Sequence, residues 1–419
     1  MPEKKCQYNT LRRSGKKTII VNCRNCKFGN STIFDKTCRQ NIFKIIQIEN
    51  TVNCLILNHA YVKVFQGKEL EILKDLNTFL ENIKAYTHLK LPSKNNKKCK
   101  DCNLNRYKKI KTIIEKSNED PFKGYLLLKD FYEETINHDS FCEKCNQEFK
   151  KIVEEMLSKG KINRHIKNNK VDRELFYRNY IRPYVRPGFI DSYIQLDPPP
   201  DAIFLESYEI TRDNRRPMNV THYTLKSRPE KLYFVIPSEY ELPHEELFLL
   251  EKVRSYLSSH RPKDASFMDA ESAREYFQKL GKKIITRFMK EEKMELEMNR
   301  LDYLSDVFSR YSAGFGIIED LLLDNRIQDV YVNAPVENNP LHIVVDGEEY
   351  TSNIFLSNGD IDALASRFRT LSGRAFSEAS PVLDMDLEAY HTRVAAISNP
   401  LTPKGIALHL EDTDKNPGR

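Results

Sequence analysis

The stretch Tyr311–Ile354, YSAGFGIIEDLLLDNRIQDVYVNAPVENNPLHIVVDGEEYTSNI, carries the clearest local pattern in the 419-residue chain. GIIEDLLLD gathers apolar residues at helical spacing and predicts a short helix, while RIQDVYVNAP is rich in strand-forming types. In LHIVV-DG-EEY, Asp346 and Gly347 separate two strand-like runs. A two-residue primed turn needs positive φ at both central positions, and Asp-Gly supplies it with little strain. Ser357, with Asp360 three residues on, opens a helix in the manner of a capping box. Ile361, Leu364, Phe368 and Leu371 line one face of that helix, and strands are expected at Arg393–Ile397 and Gly405–Leu410. One helix against a mixed sheet makes residues 311–411 an α+β unit.

Working outward, residues 156–310 form a second region. Ser158–Lys170 is polar and basic and reads as a linker. After Pro198, Pro199 and Pro200, the runs IFLESYEI, NVTHYTLK and KLYFVI predict three strands. Leu250, Val253 and Leu257 then mark a helix over Glu246–Leu257. Phe277, Leu280, Ile284 and Phe288 mark a long one over Ala270–Met298, with charged EEKMELEMNR on its solvent side. Residues 1–155 form a third region, with a strand-like Thr51–Phe65 and a helix over Glu69–Tyr86 that repeats Leu70, Leu73, Leu76, Leu80 and Ile83. The expected fold is therefore α+β and multidomain: a cysteine-rich front, a helical and β middle, and a closing α+β domain, with 412–419 as a connecting segment.

Composition sets outer limits. Hydrophobic residues at 40% and charged residues at 30% exclude fibrous and wholly disordered classes. No run approaches the roughly 18 to 20 apolar residues of a membrane span, and the opening MPEKKCQYNTLRRSGKK has no apolar core, so the expected location is the cytoplasm. Residues 1–120 hold 25 Lys/Arg against 11 Asp/Glu, whereas residues 121–419 hold 41 against 49. A basic front can meet nucleic acid or anionic headgroups; a solvated lysine-rich surface is the alternative.

All nine cysteines lie at or before Cys145. Cys99-Lys-Asp-Cys102 and Cys142-Glu-Lys-Cys145 are two knuckles that together supply the four thiolates of a closed structural zinc site; free thiols are the alternative. Cys23-Arg-Asn-Cys26 is a third knuckle, and Cys38 is its prospective partner with Asn41 where a fourth cysteine would stand. That cluster is one ligand short, and Cys6, Cys54 or His59 could complete it.

The back region, read through YSAGFG…TSNI, RFRTLSGRAFSEASPVLDMDLE and TRVAAISNPLTPKGIALHL, resembles archaeal members of the type II/IV secretion ATPase superfamily, the hexameric motors of pilus, archaellum and secretion assembly. The resemblance spans roughly Ala202–Pro417 and is dense from Tyr311 to Leu410. It implies a PAS-like domain that precedes a RecA-like motor, docks on neighbouring subunits and a membrane platform protein, and places the chain peripherally at the membrane. No G-x-x-x-x-G-K-[ST] phosphate loop occurs: Gly15-Lys16 is followed by Lys17, and Gly281-Lys282 by Lys283. The chain is thus expected to be the amino-terminal half of such an ATPase, using ATP and magnesium only through a motor domain in trans.

The resemblance also implies that this half lends arginines to the nucleotide pocket, where a guanidinium stabilises charge on the γ-phosphate oxygens. By motif position Arg393 leads, then Arg374, with Arg369 and Arg367 behind; the two on the helix also read as solvent-facing residues flanking an inward Phe368. Glu378 and Asp384 could form a salt-bridge network around Arg374, act in acid/base chemistry, or hold a turn. Two other functions compete: autonomous ATP hydrolysis by family inheritance, and a zinc-stabilised nucleic-acid binder, motivated by the basic front and by the alternation in FYRNYIRPYVRP (Phe176–Pro187). Nucleic acid is the less expected partner.

Overall fold

The computed structural model describes residues 6–13, 15–24, 26, 32–86, 97–137, 143–166, 172–211, 217–260 and 270–414. Contacts divide it into two units, one of residues 1–59 and 63–183, the other of 60–62 and 184–419. The expected boundary at 155/156 falls inside a helix.

The first unit opens with β1 (Tyr8–Arg13) and β2 (Lys16–Asn22), an antiparallel hairpin, followed by α1 (Lys36–Ile48). A second hairpin, β3 (Cys54–Asn58) and β4 (Tyr61–Gln66), matches the Thr51–Phe65 expectation, and β3 runs parallel to β2. Helices α2 (Gly67–Ala85), α3 (Lys97–Glu119), α4 (Pro121–Asn137), α5 (Glu143–Lys159) and α6 (Arg173–Tyr180) complete it. The α2 face read from the sequence is buried, Leu73, Leu76, Phe79 and Ile83 being wholly inaccessible. The stretch expected as a linker carries a 3-10 turn, Ile162–Arg164, whose Ile162 joins this core. Buried Asp120, between α3 and α4, accepts a hydrogen bond from Tyr177 of α6 at 2.7 Å and pairs with Arg39 of α1 at 3.4 Å.

The second unit begins with β5 (Tyr184–Pro187) and β6 (Tyr193–Gln195). Then come the three expected strands, β7 (Ala202–Ile210), β8 (Met218–Leu225) and β9 (Arg228–Val235). Helix α7 (His244–Ser259) follows. The single long helix expected over Ala270–Met298 is instead two, α8 (Ala270–Glu292) and α9 (Met298–Ser312). Lys293 takes φ +55°, Met294 N–H reaches Met289 O at 2.9 Å, and Lys293 N–H reaches Lys290 O at 3.4 Å. This is the left-handed helix stop that glycine normally provides, here on a lysine. It turns Met294 and Leu296 onto the core, so the charged run is a break and not a helix face.

After α10 (Ile317–Leu322) come β10 (Ile327–Val332), β11 (His342–Val345), β12 (Glu348–Ser352), β13 (Ile354–Phe355), α11 (Asn358–Ser372), β14 (Val382–Leu387), β15 (Thr392–Ile397) and β16 (Ala407–Asp412). The hairpin turn is confirmed, with φ +52° at Asp346 and +82° at Gly347. So is the capping box, Ser357 and Asp360 bonding reciprocally. The large sheet runs β14-β15-β16-β10-β11-β12-β9-β8-β7 and is antiparallel except where β12 meets β9. The fold is mixed α+β.

Arg310, at the end of α9, is 2% exposed and pairs with Glu239, at 3.2 Å, and with Asp320 of α10. Removing one member of a buried ion group strands the rest and costs about 3–5 kcal/mol; Arg310→Met is expected to show a loss of that size in urea denaturation, and a loss below about 1 kcal/mol would contradict this account. His222 of β8 is wholly buried beside Tyr208, Tyr233 and Tyr350, with Nδ1 3.0 Å from Glu206 and no partner for Nε2. Burial holds its pKa below the usual 6.5, against the pull of Glu206. The unfolded chain therefore takes up a proton that the native state refuses, and stability falls as pH drops below about 6.5. His222→Phe should flatten that decline in thermal melts from pH 7 to 5; an unchanged slope would assign it to other groups.

Candidate functional site

Of the arginines singled out in the sequence, Arg374 and Arg393 meet at Asp384 in the second unit. Their order follows from strand register. Asp384 of edge strand β14 stands opposite Ala395, and Arg393 is two residues along β15, which places the two as a diagonal cross-strand pair. The pair is bidentate, with Arg393 Nε to Asp384 Oδ1 at 3.0 Å and Nη2 to Oδ2 at 2.7 Å, both side chains being about half exposed. Arg393 holds the Asp384 carboxyl below the usual carboxylate range. Directly across from Arg393 lie Asp386 on one side and Glu411 of β16 on the other, so it is embedded among three carboxylates. Arg374, just past the end of α11, donates Nη1 to the backbone carbonyl of Asp384 at 2.6 Å. Arg393 thus holds the Asp384 carboxylate, while the Asp384 backbone carbonyl, placed by the β14 ladder, holds one arm of Arg374.

Arg369 stands apart from this chain. It is exposed, its guanidinium has no partner among the described residues, and it lines a 370 Å³ cleft with Asp362, Phe376, Glu378, Asn399 and Gly405. Glu378 accepts from Asn399 Nδ2 at 2.8 Å, so Glu378 and Asp384 are separate: the first belongs to a turn closed by Ser377 and Ser380, the second to a strand. Arg367 is not simply solvent-facing. It is partly buried and donates Nη2 to Ser312 O at 3.0 Å.

A larger cleft of 660 Å³ lies between the start of α11, α7 and the 311–317 segment. Its charged groups answer one another: Arg254 pairs with Asp191 and donates to Phe189 O at 2.7 Å, while burial pushes Asp360 up to about 6. Sequence reading had no signal for it, because its walls come from five separate segments.

The first unit collects cysteines. Cys23 follows β2, Cys26 N–H closes on Cys23 O at 3.2 Å, and Cys38 sits in the first turn of α1 below Asp35, which caps its N–H at 2.9 Å. Burial pushes the Cys6 thiol up to about 11 and the Cys23 thiol up to about 12, with neighbouring cysteines adding to both. Asn41 is not a substitute ligand; its Nδ2 donates to Thr37 O within its own helix. Cys142 lies outside the described residues, as do the side chains of Cys99, Cys102 and Cys145, whose backbones belong to α3 and α5. Among the described residues no group of three or more His, Cys, Asp or Glu side chains is placed so that it could hold a metal ion, and no helix is long and apolar enough to cross a membrane.

No protein-family model matches the sequence, and no curated protein matches it.

An exposed ion pair contributes between zero and about 1 kcal/mol. Asp384→Asn is accordingly expected to shift the denaturation midpoint by no more than that. A loss above about 2 kcal/mol would make Asp384 a structural support of the sheet edge and not a holder of arginine.

Proposed function

We propose that the second unit is the regulatory and assembly domain of a secretion-type ATPase of the pilus and archaellum kind, and that it presents guanidinium groups to a nucleotide gripped by a motor domain. What supports this reading is the edge strand β14, where Asp384 holds Arg393 through its carboxylate and Arg374 through its backbone carbonyl, while Arg369 of α11 lines a cleft of its own. Electrostatics then sorts the three. Arg393 is held by Asp384 and faced by Asp386 and Glu411, so an incoming phosphate would have to displace one carboxylate and approach two more. Arg374 has one arm tied to a carbonyl, which orients it while leaving further N–H donors to offer. Arg369 is unengaged at the mouth of the cleft.

The order given by motif position is therefore changed. Arg369 and Arg374 are proposed as the phosphate-facing groups, and Arg393 as the residue that engages the Asp384 carboxylate, which otherwise lies within electrostatic reach of Arg374. Charge develops on the γ-phosphate oxygens during transfer, and a guanidinium fixed there stabilises it without reorganising at the moment of reaction. This chain offers no phosphate-binding loop, so the nucleotide is held by the partner. The interaction with a membrane platform protein belongs to the same proposal.

The test is ATP turnover by the motor domain of such an ATPase, followed by phosphate release with and without this chain. Loss of an arginine that reaches the γ-phosphate is worth roughly 10³- to 10⁵-fold in rate, so Arg369→Ala or Arg374→Ala should abolish the stimulation while leaving association intact. Full stimulation by the double variant, or phosphate release by this chain with no motor added, would sink the proposal.

A further inference from the structure

One face of α11 carries an acid and a base with a gap between them. Asp360, Ala363, Leu364 and Arg367 fall at the i, i+3, i+4 and i+7 positions of the helix, and all four line the 660 Å³ cleft. The two charged residues are two turns apart, about 10 Å of helix rise. Alanine at the middle of the stripe leaves the space between them open. The smaller cleft at Arg369 is a different place, fronted by Asp362, Ala365 and Arg369 on another side of the same helix.

Neither Asp360 nor Arg367 has an opposite charge in contact among the described residues. Arg367 donates a single bond, Nη2 to Ser312 O at 3.0 Å, and its Nε and Nη1 meet no acceptor there. The carboxylates whose charge reaches it, Glu319 and Asp360, are engaged by other groups. Glu319 takes Arg274 at 2.8 Å and the Phe315 N–H at 2.9 Å, and Asp360 takes the N–H and hydroxyl of Ser357, each at 2.8 Å. Both Ser357 bonds fall on Oδ2 of Asp360, so Oδ1 keeps its acceptor capacity. Arg254, the other cation of the cleft, is already held by Asp191 and by Phe189 O. Burial raises the Asp360 carboxyl to about 6 and lowers the Arg367 guanidinium, as expected of charges withdrawn from water without a partner.

We infer that this cleft binds a free α-amino acid with an apolar side chain, its ammonium on Asp360, its carboxylate on Arg367 and its side chain against the aromatic wall. That wall is made by Phe189, Phe277, Phe308 and Phe315. A zwitterion suits the cleft because the lining charges cancel in pairs, Asp191 with Arg254 and Asp360 with Arg367. A simple anion would meet two carboxylates, and a simple cation two guanidinium groups. The Arg367 donors left over fit a carboxylate through charge-assisted bonds, and a hydrogen bond at each end lets the ligand bridge a gap that neither side chain closes alone. The volume lies within the roughly 300 to 1,000 Å³ of small-molecule sites, which combine apolar walls with a few placed polar groups. The assignment does not depend on the role proposed for Arg369 and Arg374.

The experiment titrates the full chain with L-phenylalanine and L-leucine above pH 7, where Asp360 is ionised, by calorimetry and by thermal melts. 3-Phenylpropionate and phenethylamine each carry only one of the two charges, and glycine lacks the apolar side chain. At least one of the two amino acids is expected to bind one to one and raise the melting midpoint. Each control should bind at least roughly tenfold more weakly, the cost of one lost charge-assisted hydrogen bond. Asp360→Asn and Arg367→Gln should weaken binding by a similar factor, and Ala363→Phe should abolish it by filling the gap. Circular dichroism shows whether each variant is folded. Should Asp360→Asn or Arg367→Gln unfold, Ala363→Phe decides, because it leaves both charges and the helix cap in place. No binding of either amino acid, equal affinity for 3-phenylpropionate or phenethylamine, or undiminished binding in any folded variant would overturn the assignment.

Discussion

The second unit is organised around a cation that has no access to water. Arg310 closes α9, and its two carboxylate partners come from either side in sequence: Glu239 precedes α7, and Asp320 is in α10. A guanidinium presents five donors in a fixed planar fork and so holds two carboxylates in set directions, where a lysine offers a compact point charge with three rotatable donors. Tyr311 donates to the same Glu239, and Glu319, one residue before Asp320, accepts from the Phe315 N–H at 2.9 Å and pairs with Arg274 of α8. Residues 311–316 are thereby fixed at both ends. That segment supplies the Ser312 carbonyl on which Arg367 of α11 leans. The placement of α11, and with it of Arg369 and Arg374 at its far end, traces back to this buried charge.

Burial also separates the exposed arginines from the buried one. Moving Arg310 would leave Glu239 and Asp320 desolvated with no compensating cation, a penalty of several kcal/mol. Arg393 and Asp384 are in water, where exchanging a carboxylate for a phosphate oxygen changes little in solvation. The flanking Asp386 and Glu411 oppose that exchange, because an acidic surround repels any anion that approaches Arg393.

What could be read from the sequence divides along a physical line. The Asp346-Gly347 turn, the Ser357–Asp360 cap and the apolar faces of α2 and α11 are local: each is fixed by residues within one turn or one helix, and all appear as expected. The break between α8 and α9 is equally local but was hidden, because Lys293 takes a left-handed conformation that its identity does not announce. The β1–β2 hairpin and β14 carried too little periodicity to stand out. The site itself was half legible. Arg369, Arg374 and Arg393 could be named, but their ranking depends on which carboxylates face them, and that is set by the register of β14, β15 and β16. Arg367 looked like a surface residue because the carbonyl that receives it lies 55 positions earlier.

The same distinction bears on the cysteines of the first unit. Spacing identified Cys23, Cys26 and Cys38, since a knuckle is a local object, but a sulfur 17 positions before Cys23 is joined to it only through hairpin register. That location has a mechanical consequence. In the first unit β1 is the outermost strand, held on one side by β2 alone, and edge strands fray first. Cys23 and Ile33, on either side of Cys26, are both buried in this unit's core, so packing of the described residues holds that end of the sheet.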